Sequence, residues 1–329
     1  MEGRIEPREV IAALYRSVLK RDPDPSGLET HVGGLRRKGL ESVIDDFLNS
    51  SEFLGRVAEP VGSAPPPGPD LSRRDRPDIQ IRLSDEQKAK LWAHIGRVWS
   101  GFGDSDPYWS VLADPKYRTS DRDVIEEFYA TGAYDANYLD AFLERNSIRL
   151  PEHAVIAEFG CGVGRVTRWL ARKYARVMAF DVSAPHLRAA RDRMTAEGLS
   201  NVEFIHVEGL KDLARLRDFD LFFSFIVLQH NPPPIMAETL EQACRGLNPG
   251  GVAFFQAPTY GKGYSFHVDA YLDAEYKRND MEMHFLPQQE IFRILGANDL
   301  GMIEVREDHC IGNFDRWISN TFLAKKRGL

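Results

Sequence analysis

Apolar residues near the start of the chain recur at helical spacing. Val10, Ile11, Leu14, Val18 and Leu19 form one such set and Val43, Ile44, Phe47 and Leu48 another. Between them, Arg21-Asp-Pro-Asp24-Pro-Ser26-Gly27-Leu28 reads as a turn and helix-cap cluster. Residues 1–58 are therefore expected to be a small helical domain. Residues 59–77 hold few apolar side chains and the run Pro65-Pro-Pro-Gly-Pro69. They are expected to be a linker reaching at most about 60 Å at polyproline rise. Residues 78–150 read as mostly helical, with a capping box at Ser84 and Gln87 and helices around Val124–Tyr129 and Tyr134–Leu143. The aromatic stretch Trp99 to Trp109 is expected to break that regularity.

From residue 151 the period changes. Short apolar runs, expected to be strands, fall at Ala154–Phe159, Arg176–Asp181, Val202–Val207, Phe219–Phe225 and Val252–Gln256. Helical patterns at Arg165–Lys173, Pro185–Glu197, Lys211–Leu216 and Ile235–Leu247 separate them. A helix at Pro287–Leu295 and strands at Gly301–Glu307 and Ile318–Lys325 complete residues 151–329. Strands alternating with helices predict an α/β domain with a largely parallel sheet.

The chemistry concentrates where the first strand ends. Glu158-Phe-Gly160-Cys161-Gly162-Val-Gly164-Arg165 carries glycine at alternate positions, and the second strand ends on Asp181. Strand, glycine turn, helix, strand and acid make a nucleoside-holding arrangement in which Asp181 can accept two hydrogen bonds from a ribose diol. A dinucleotide turn spaces its glycines G-x-G-x-x-G, whereas here the third glycine comes one position early. Glu158 would also repel a pyrophosphate and attract an ammonium group. Cys161 lies between the glycines, where packing explains a cysteine better than nucleophilic chemistry.

E-x-G-x-G-x-G resembles the first motif of the class I S-adenosylmethionine-dependent methyltransferases. Three later stretches extend the resemblance over residues 150–257. They are Asn201–Gly209, Phe219-Asp220 through Gln229-His230, and Leu247-Asn-Pro-Gly-Gly251. The resemblance implies a Rossmann-like seven-stranded sheet with its last strand antiparallel beside the fifth, and an N-terminal helical cap over the cofactor. It implies S-adenosylmethionine as cofactor and S-adenosylhomocysteine as product. The cofactor residues it implies are Glu158, Gly160, Cys161, Gly162, Gly164, Asp181, Val182, Glu208 (for the adenine amino group) and Gln229. Tyr108, Trp109, Tyr129, Tyr134 and Tyr138 become lid candidates, and Asp220 reads as structural.

Methyl transfer from a sulfonium is an in-line displacement that chiefly needs alignment and exclusion of water. A base is needed only for a protonated nucleophile. His230, at the mouth of the expected crevice, is the first candidate. His267, Asp269 and His284, in the long stretch Ala257–Phe285, follow.

The 42 basic and 49 acidic residues leave a net charge of −7, which disfavours nucleic acid as partner. The charged first residues and the short apolar runs point to a cytoplasmic protein without a membrane span. Three scattered cysteines fit a reducing compartment, and no zinc or other metal site is expected. Asp22, Asp24, Ser26 and Gly27 mimic half of a calcium loop, but position 12 would be Gly33, so a capping turn is the better reading.

Residues 5–57, with L-Y-x-x-V-L-x-R-D-P-D-P-S-G-L and F-L-N-S-S-E-F, resemble a bacterial helical domain of unknown function found beside enzymes of polysaccharide assembly. That resemblance, and the likeness of residues 308–326 to methyltransferases encoded with glycan-assembly enzymes, imply O-methylation of a sugar or glycan intermediate of surface polysaccharide biosynthesis. They also make the small domain a candidate site for a protein or glycan partner. The alternatives are a small aromatic or lipid-like acceptor, and a binding scaffold with a retired methyltransferase fold.

Overall fold

The computed structural model describes residues 6–53, 77–275, 281–311 and 316–328. The expected linker lies almost wholly outside the described residues. The chain divides into two compact units, Met1–Asp75 and Arg76–Leu329.

The first unit is built on α1 (Pro7–Val18), α2 (Pro25–Lys38) and α3 (Leu40–Leu48). Proline opens α1 and α2, where its missing N–H costs nothing. Asp24 caps α2 by accepting the Gly27 N–H at 2.8 Å, so the capping reading of this turn is the one the structure supports. Ile11, Tyr15, Leu19, Val32, Val43 and Phe47 form the buried centre of the unit. Arg21 closes it with two bonds to Glu52, at 2.7 and 2.8 Å.

The second unit opens with α4 (Asp85–Ser105), whose N-terminus carries the full Ser84–Gln87 capping box. The expected break at Trp99 is not there: α4 runs six residues further, to Ser105. The two stretches around Val124 and Tyr134 are one helix, α5 (Arg122–Arg145), because Gly132 between them sits against the Arg165 backbone and does not interrupt it.

The strands and helices that follow are β1 (Val155–Phe159), α6 (Thr167–Lys173), β2 (Arg176–Asp181), α7 (Ala184–Ala196), β3 (Val202–His206), α8 (Leu210–Leu213) and β4 (Phe219–Ser224). Then come α9 (Pro233–Gly246), β5 (Leu247–Gly261), α10 (Val268–Glu275), α11 (Gln288–Ala297), β6 (Leu300–Asp308) and β7 (Trp317–Lys326). The seven strands lie in the order β3-β2-β1-β4-β5-β7-β6. β7 is antiparallel to both neighbours, and the pairs among β1 to β5 are parallel. The architecture expected from the pattern of strands and helices is therefore present.

Both faces of the sheet are covered, which is why its strands read as continuous apolar runs. Ala157, Met178, Phe180, Phe222 and Phe255 face α4, α9 and α11, whereas Ile156, Val177, Ala179, Leu221 and Phe254 face α5 and α6. Asp220 ties three strand starts together, accepting from the Val155 N–H at 2.9 Å and from Asn248 Nδ2 at 2.9 Å. Lys326 Nζ donates to the carbonyls of Cys244, Arg245 and Leu247, each at 2.9 Å. It thereby satisfies the carbonyl end of α9 where that helix turns into β5.

β5 is much longer than Val252–Gln256. Its pairing with β7 continues to Gly261 opposite Trp317, so the first residues after the expected strand belong to a ribbon and not to a loop.

A β-carbon at Gly246 would overlap the Leu216 carbonyl, whereas one at Gly301 on β6 would meet nothing closer than Lys325 O at 4.0 Å. Gly246→Ala is expected to lower stability by about 1–3 kcal/mol, and Gly301→Ala to change it by about 0.5 kcal/mol or less. Urea denaturation of the two variants checks the contrast.

Candidate functional site

β1 is the pivot of the sheet. Its parallel neighbours β2 and β4 are reached by connections that leave in opposite directions, and a crevice opens at the carboxyl ends of the strands. A cavity of about 330 Å³ fills that crevice. Eight of the sequence-predicted residues line it: Glu158, Gly160, Cys161, Gly162, Asp181, Val182, Gln229 and His230.

The glycine turn is shaped by close approach. Gly160 has φ +81°, and a β-carbon there would overlap the side chain of Val227, which follows β4. Gly162 has φ +53° and lies under Val111, so the 106–113 segment rests directly on the turn. Gly164 does not line the cavity; it faces Ala190 and Met194 on α7 and lets that helix approach.

Asp181 is buried, and its carboxylate accepts the N–H of Gly162 at 2.7 Å and of Ser183 at 2.8 Å. Each carboxylate oxygen keeps a further lone pair for a ligand hydroxyl. Glu158 is buried with Oε2 unpartnered. Burial pushes its carboxyl up to about 7, against the pull of the Arg165 guanidinium. Arg165 is buried too. It bonds to Asp135 and to Thr131 Oγ1, yet its Nε has no partner. Two unpartnered polar atoms, one on an acid and one on a base, thus belong to residues that line one cavity. Burial and the nearby Asp181 hold the Cys161 thiol far above its ordinary range, so it is inert as a nucleophile.

At the far side, the His230 Nδ1–H donates to the Glu282 carbonyl at 2.7 Å. A carbonyl accepts only from an N–H, so Nδ1 carries the proton and Nε2 keeps its lone pair. Gln229 Nε2 donates to that Nε2 at 3.2 Å, and Gln256 Nε2 fixes Gln229 by donating to its Oε1 at 3.0 Å. Burial pushes the His230 imidazole down to about 4.

Behind His230, the Glu282 carboxylate accepts from His284 Nε2 at 2.8 Å and from the Tyr271 hydroxyl at 2.6 Å. His284 Nδ1 in turn bonds the Tyr264 hydroxyl at 2.6 Å.

Several expected residues are not brought to the cavity. Glu208 is exposed and borders a separate hollow beside Lys88 and Trp92. It lies just past β3, where the chain turns away into α8. His267 pairs with Asp78 and Asp269 with Gln87, and all four are on the surface side of the 77–87 segment or of α10. None of the five lid aromatics lines the cavity. Tyr134 is 76 % exposed, Tyr129 donates its hydroxyl to the Val163 carbonyl, and Tyr138 packs on Phe142 and Phe254. Tyr108 and Trp109 pack in a cluster with Phe128.

The covering residues are instead Trp99 and Ser110–Ala113. Ser110 Oγ is 2.9 Å from His186 Nε2, a buried pair that holds the 106–113 segment to α7. Its partners are 76 residues apart in sequence, and no local motif marks them. Arg165, by contrast, directly follows the last glycine and was legible as part of that turn.

Residues 156–251 match the family described as "Methyltransferase domain", and residues 4–57 match "Domain of unknown function (DUF4214)". A tRNA/tmRNA (uracil-C(5))-methyltransferase of Nitratiruptor is 30% identical over 88 residues, 24% of this chain and 24% of that protein. A ubiquinone biosynthesis O-methyltransferase of Nitrosococcus oceani is 31% identical over 144 residues, 44% of this chain and 58% of that protein. The chain thus spans between about a quarter and three fifths of these relatives. The crystal structure of magnesium protoporphyrin IX methyltransferase from Synechocystis, with bound SAH, superimposes with a TM-score of 0.48 and 17% identity. That match covers 70% of this chain and 99% of that one.

Glu158 supplies a direct test of the site's electrostatics. Its pKa is raised from 4.5 to about 7, so the folded chain holds a proton that the unfolded chain releases. Stability of the ligand-free protein should therefore fall as pH rises from about 4.5 to about 7, and level off above. Relative to the parent, Glu158→Gln is expected to gain up to about 3 kcal/mol between pH 5 and pH 8. Urea midpoints at the two pH values measure it.

Proposed function

We propose that this chain transfers the methyl group of S-adenosylmethionine to a small-molecule acceptor. The observation that carries the reading is the pair of unpartnered buried atoms, Glu158 Oε2 and Arg165 Nε, on residues that line one cavity with Gly160 and Gly162. An amino-acid head group brings an ammonium and a carboxylate, and these two atoms are the complements it needs. Asp181, at the end of β2 and bonded to the Gly162 N–H, offers its remaining lone pairs to a diol. The methyltransferase-domain match over residues 156–251 supports the same reading.

When bound, the sulfonium cofactor supplies an already activated methyl group. The chain's own residues then have four tasks. Glu158 and Arg165 hold the head group, Asp181 orients the ribose, and the 106–113 segment, clasped by Ser110 and His186, keeps water from the turn. His230, neutral with its proton on Nδ1, accepts the proton of an acceptor hydroxyl on Nε2 once that hydroxyl takes the place of the Gln229 amide there.

The finer question is the acceptor. A sugar or glycan intermediate of surface polysaccharide rests on residues 5–57 and the segment from Asp308. The two relatives named above act, by their names, on a tRNA base and in ubiquinone biosynthesis, and no glycan appears among them. The shared domain therefore supports methyl transfer and leaves the acceptor to the rest of the cavity. Among the described residues, no helix is long and apolar enough to cross a membrane, and no group of three His, Cys, Asp or Glu side chains is placed to hold a metal.

Calorimetry with S-adenosylhomocysteine tests the reading: absence of binding by it and by S-adenosylmethionine sinks it in favour of a scaffold. Asp181→Ala is expected to weaken that binding by about 1.5–3 kcal/mol, the range for hydrogen bonds to a charged group. His230→Ala should lower turnover and leave cofactor affinity unchanged. Because His230 is pushed down to about 4, it stays neutral from pH 5 to pH 8. The kcat/KM profile should show no inflection in that range that His230→Ala removes.

A further inference from the structure

The cavity has a second half, to which only Gln229 of the expected cofactor residues belongs. Glu158, the glycine turn and Asp181 belong to the β1 and β2 side of the crevice. The other half is made by the residues after β4, by the 281–283 segment and by Ile311 after β6. An acceptor has to enter from this side, because the nucleoside side is committed.

The walls there are apolar. Trp99, Phe225, Ile226, Met281, Met283 and Ile311 line the half. Three of its polar lining residues are already engaged, and the fourth, Cys310, carries only a weakly polar thiol. Gln229 is held between Gln256 and His230, the Asn231 amide donates to the Val227 carbonyl at 3.0 Å, and His230 is fixed by Glu282.

The methionine wall is also fixed in place. Met281 and Met283 face the cavity, and the residues that alternate with them, Glu282 and His284, enter the buried cluster with Tyr264 and Tyr271. Alternation of this kind is how an extended segment sends successive side chains to opposite faces. The cluster anchors one face, and two flexible, polarizable thioethers line the other.

Ile226 carries the strongest local sign of purpose. It has φ +58°, a conformation that a β-branched side chain rarely adopts, and it lines the cavity just past β4. Such strain persists where the surroundings impose it, and here it falls on an apolar residue of the cavity wall.

We infer that the acceptor is a molecule with a flat or compact apolar body that presents one hydroxyl to His230, of the phenol or hydroquinone class, and not a free or nucleotide-linked sugar. The inference rests on the methyl-transfer reading above. A sugar would bring several hydroxyls into this half, and each one left without a partner lowers affinity by roughly tenfold or more. An aromatic body instead meets the apolar side chains of Trp99, Phe225, Ile226, Met281, Met283 and Ile311 and needs one polar contact. The adaptable methionines imply tolerance for several apolar shapes, with discrimination exerted at the hydroxyl.

The experiment uses the full chain and two measurements. Calorimetry with S-adenosylhomocysteine comes first; if it does not bind, the methyl-transfer reading has failed and not the acceptor class. The loaded protein is then titrated with 2-naphthol, and separately with UDP-glucose and methyl glucoside, and each compound is assayed for methylation with labelled S-adenosylmethionine. Binding and O-methylation of 2-naphthol, with no binding of either sugar, is the expected result. Met281→Glu and Met283→Glu should each weaken 2-naphthol at least tenfold, Met283→Leu should change it less than threefold, and all three should keep the parent's affinity for S-adenosylhomocysteine. Three outcomes would overturn the inference: tighter binding of a sugar than of 2-naphthol, 2-naphthol affinity unmoved by both glutamates, or binding of S-adenosylhomocysteine with no binding of 2-naphthol.

Discussion

The contact on which the site depends is the one between Gly160 and Val227. Gly160 leaves β1 with a backbone that side chains avoid, and the space where its side chain would be is taken by Val227. That contact joins the end of β1 to the loop after β4, across the point where the two connections of the sheet part. The turn of the cofactor half and the strained Ile226 of the other half are consequently neighbours in one packing arrangement. The N–H groups of Gly160 and Cys161 both bond the Phe180 carbonyl, at 2.8 and 3.1 Å, so β2 and its terminal Asp181 are drawn into the same unit. Change at any one of these strand ends displaces the others.

The second constraint is electrostatic. Arg165, Glu158 and Asp181 are all buried, and a buried charge is stabilising only with good partners. Asp181 has two backbone N–H groups and Arg165 has Asp135 and Thr131, but each site residue that faces the cavity retains capacity that the protein does not fill. Such incomplete pairing opposes folding of the empty protein and favours whatever ligand completes it. The far half has the opposite character, with its polar groups tied to one another and its walls apolar. One cavity therefore offers two solvents, a charged one at β1 and β2 and an oily one beyond β4.

How much of this could be read along the chain follows from the range of the interactions. The strands and the helices between them were legible because burial on both faces of the sheet leaves apolar runs, as at Val177–Phe180. The glycine turn and Asp181 were legible because their geometry is local. Glu208 was misplaced relative to the cavity, because where a side chain points after β3 depends on how α4 and α8 cover that end of the sheet. The five lid candidates stay off the cavity lining for a similar reason. Tyr129 and Tyr138 do lie on the helix before β1, but α5 turns them into its own packing, and the cover comes from Trp99 and the 110–113 stretch. The Ser110–His186 and Glu282–His230 contacts join residues 76 and 52 apart. No periodicity records such pairs.

The placement of β7 between β5 and β6 has a consequence for synthesis on the ribosome. β5 and β6 emerge before β7, the strand that lies between them in the finished sheet and with which each of them pairs there. Until residues 317–326 appear, the fifteen-residue β5 presents a long unpaired edge next to the crevice, the kind of surface on which chains aggregate. The nascent protein thus passes through an interval in which an unpaired strand edge borders the cavity. Pairing of β7 with β5 covers that edge.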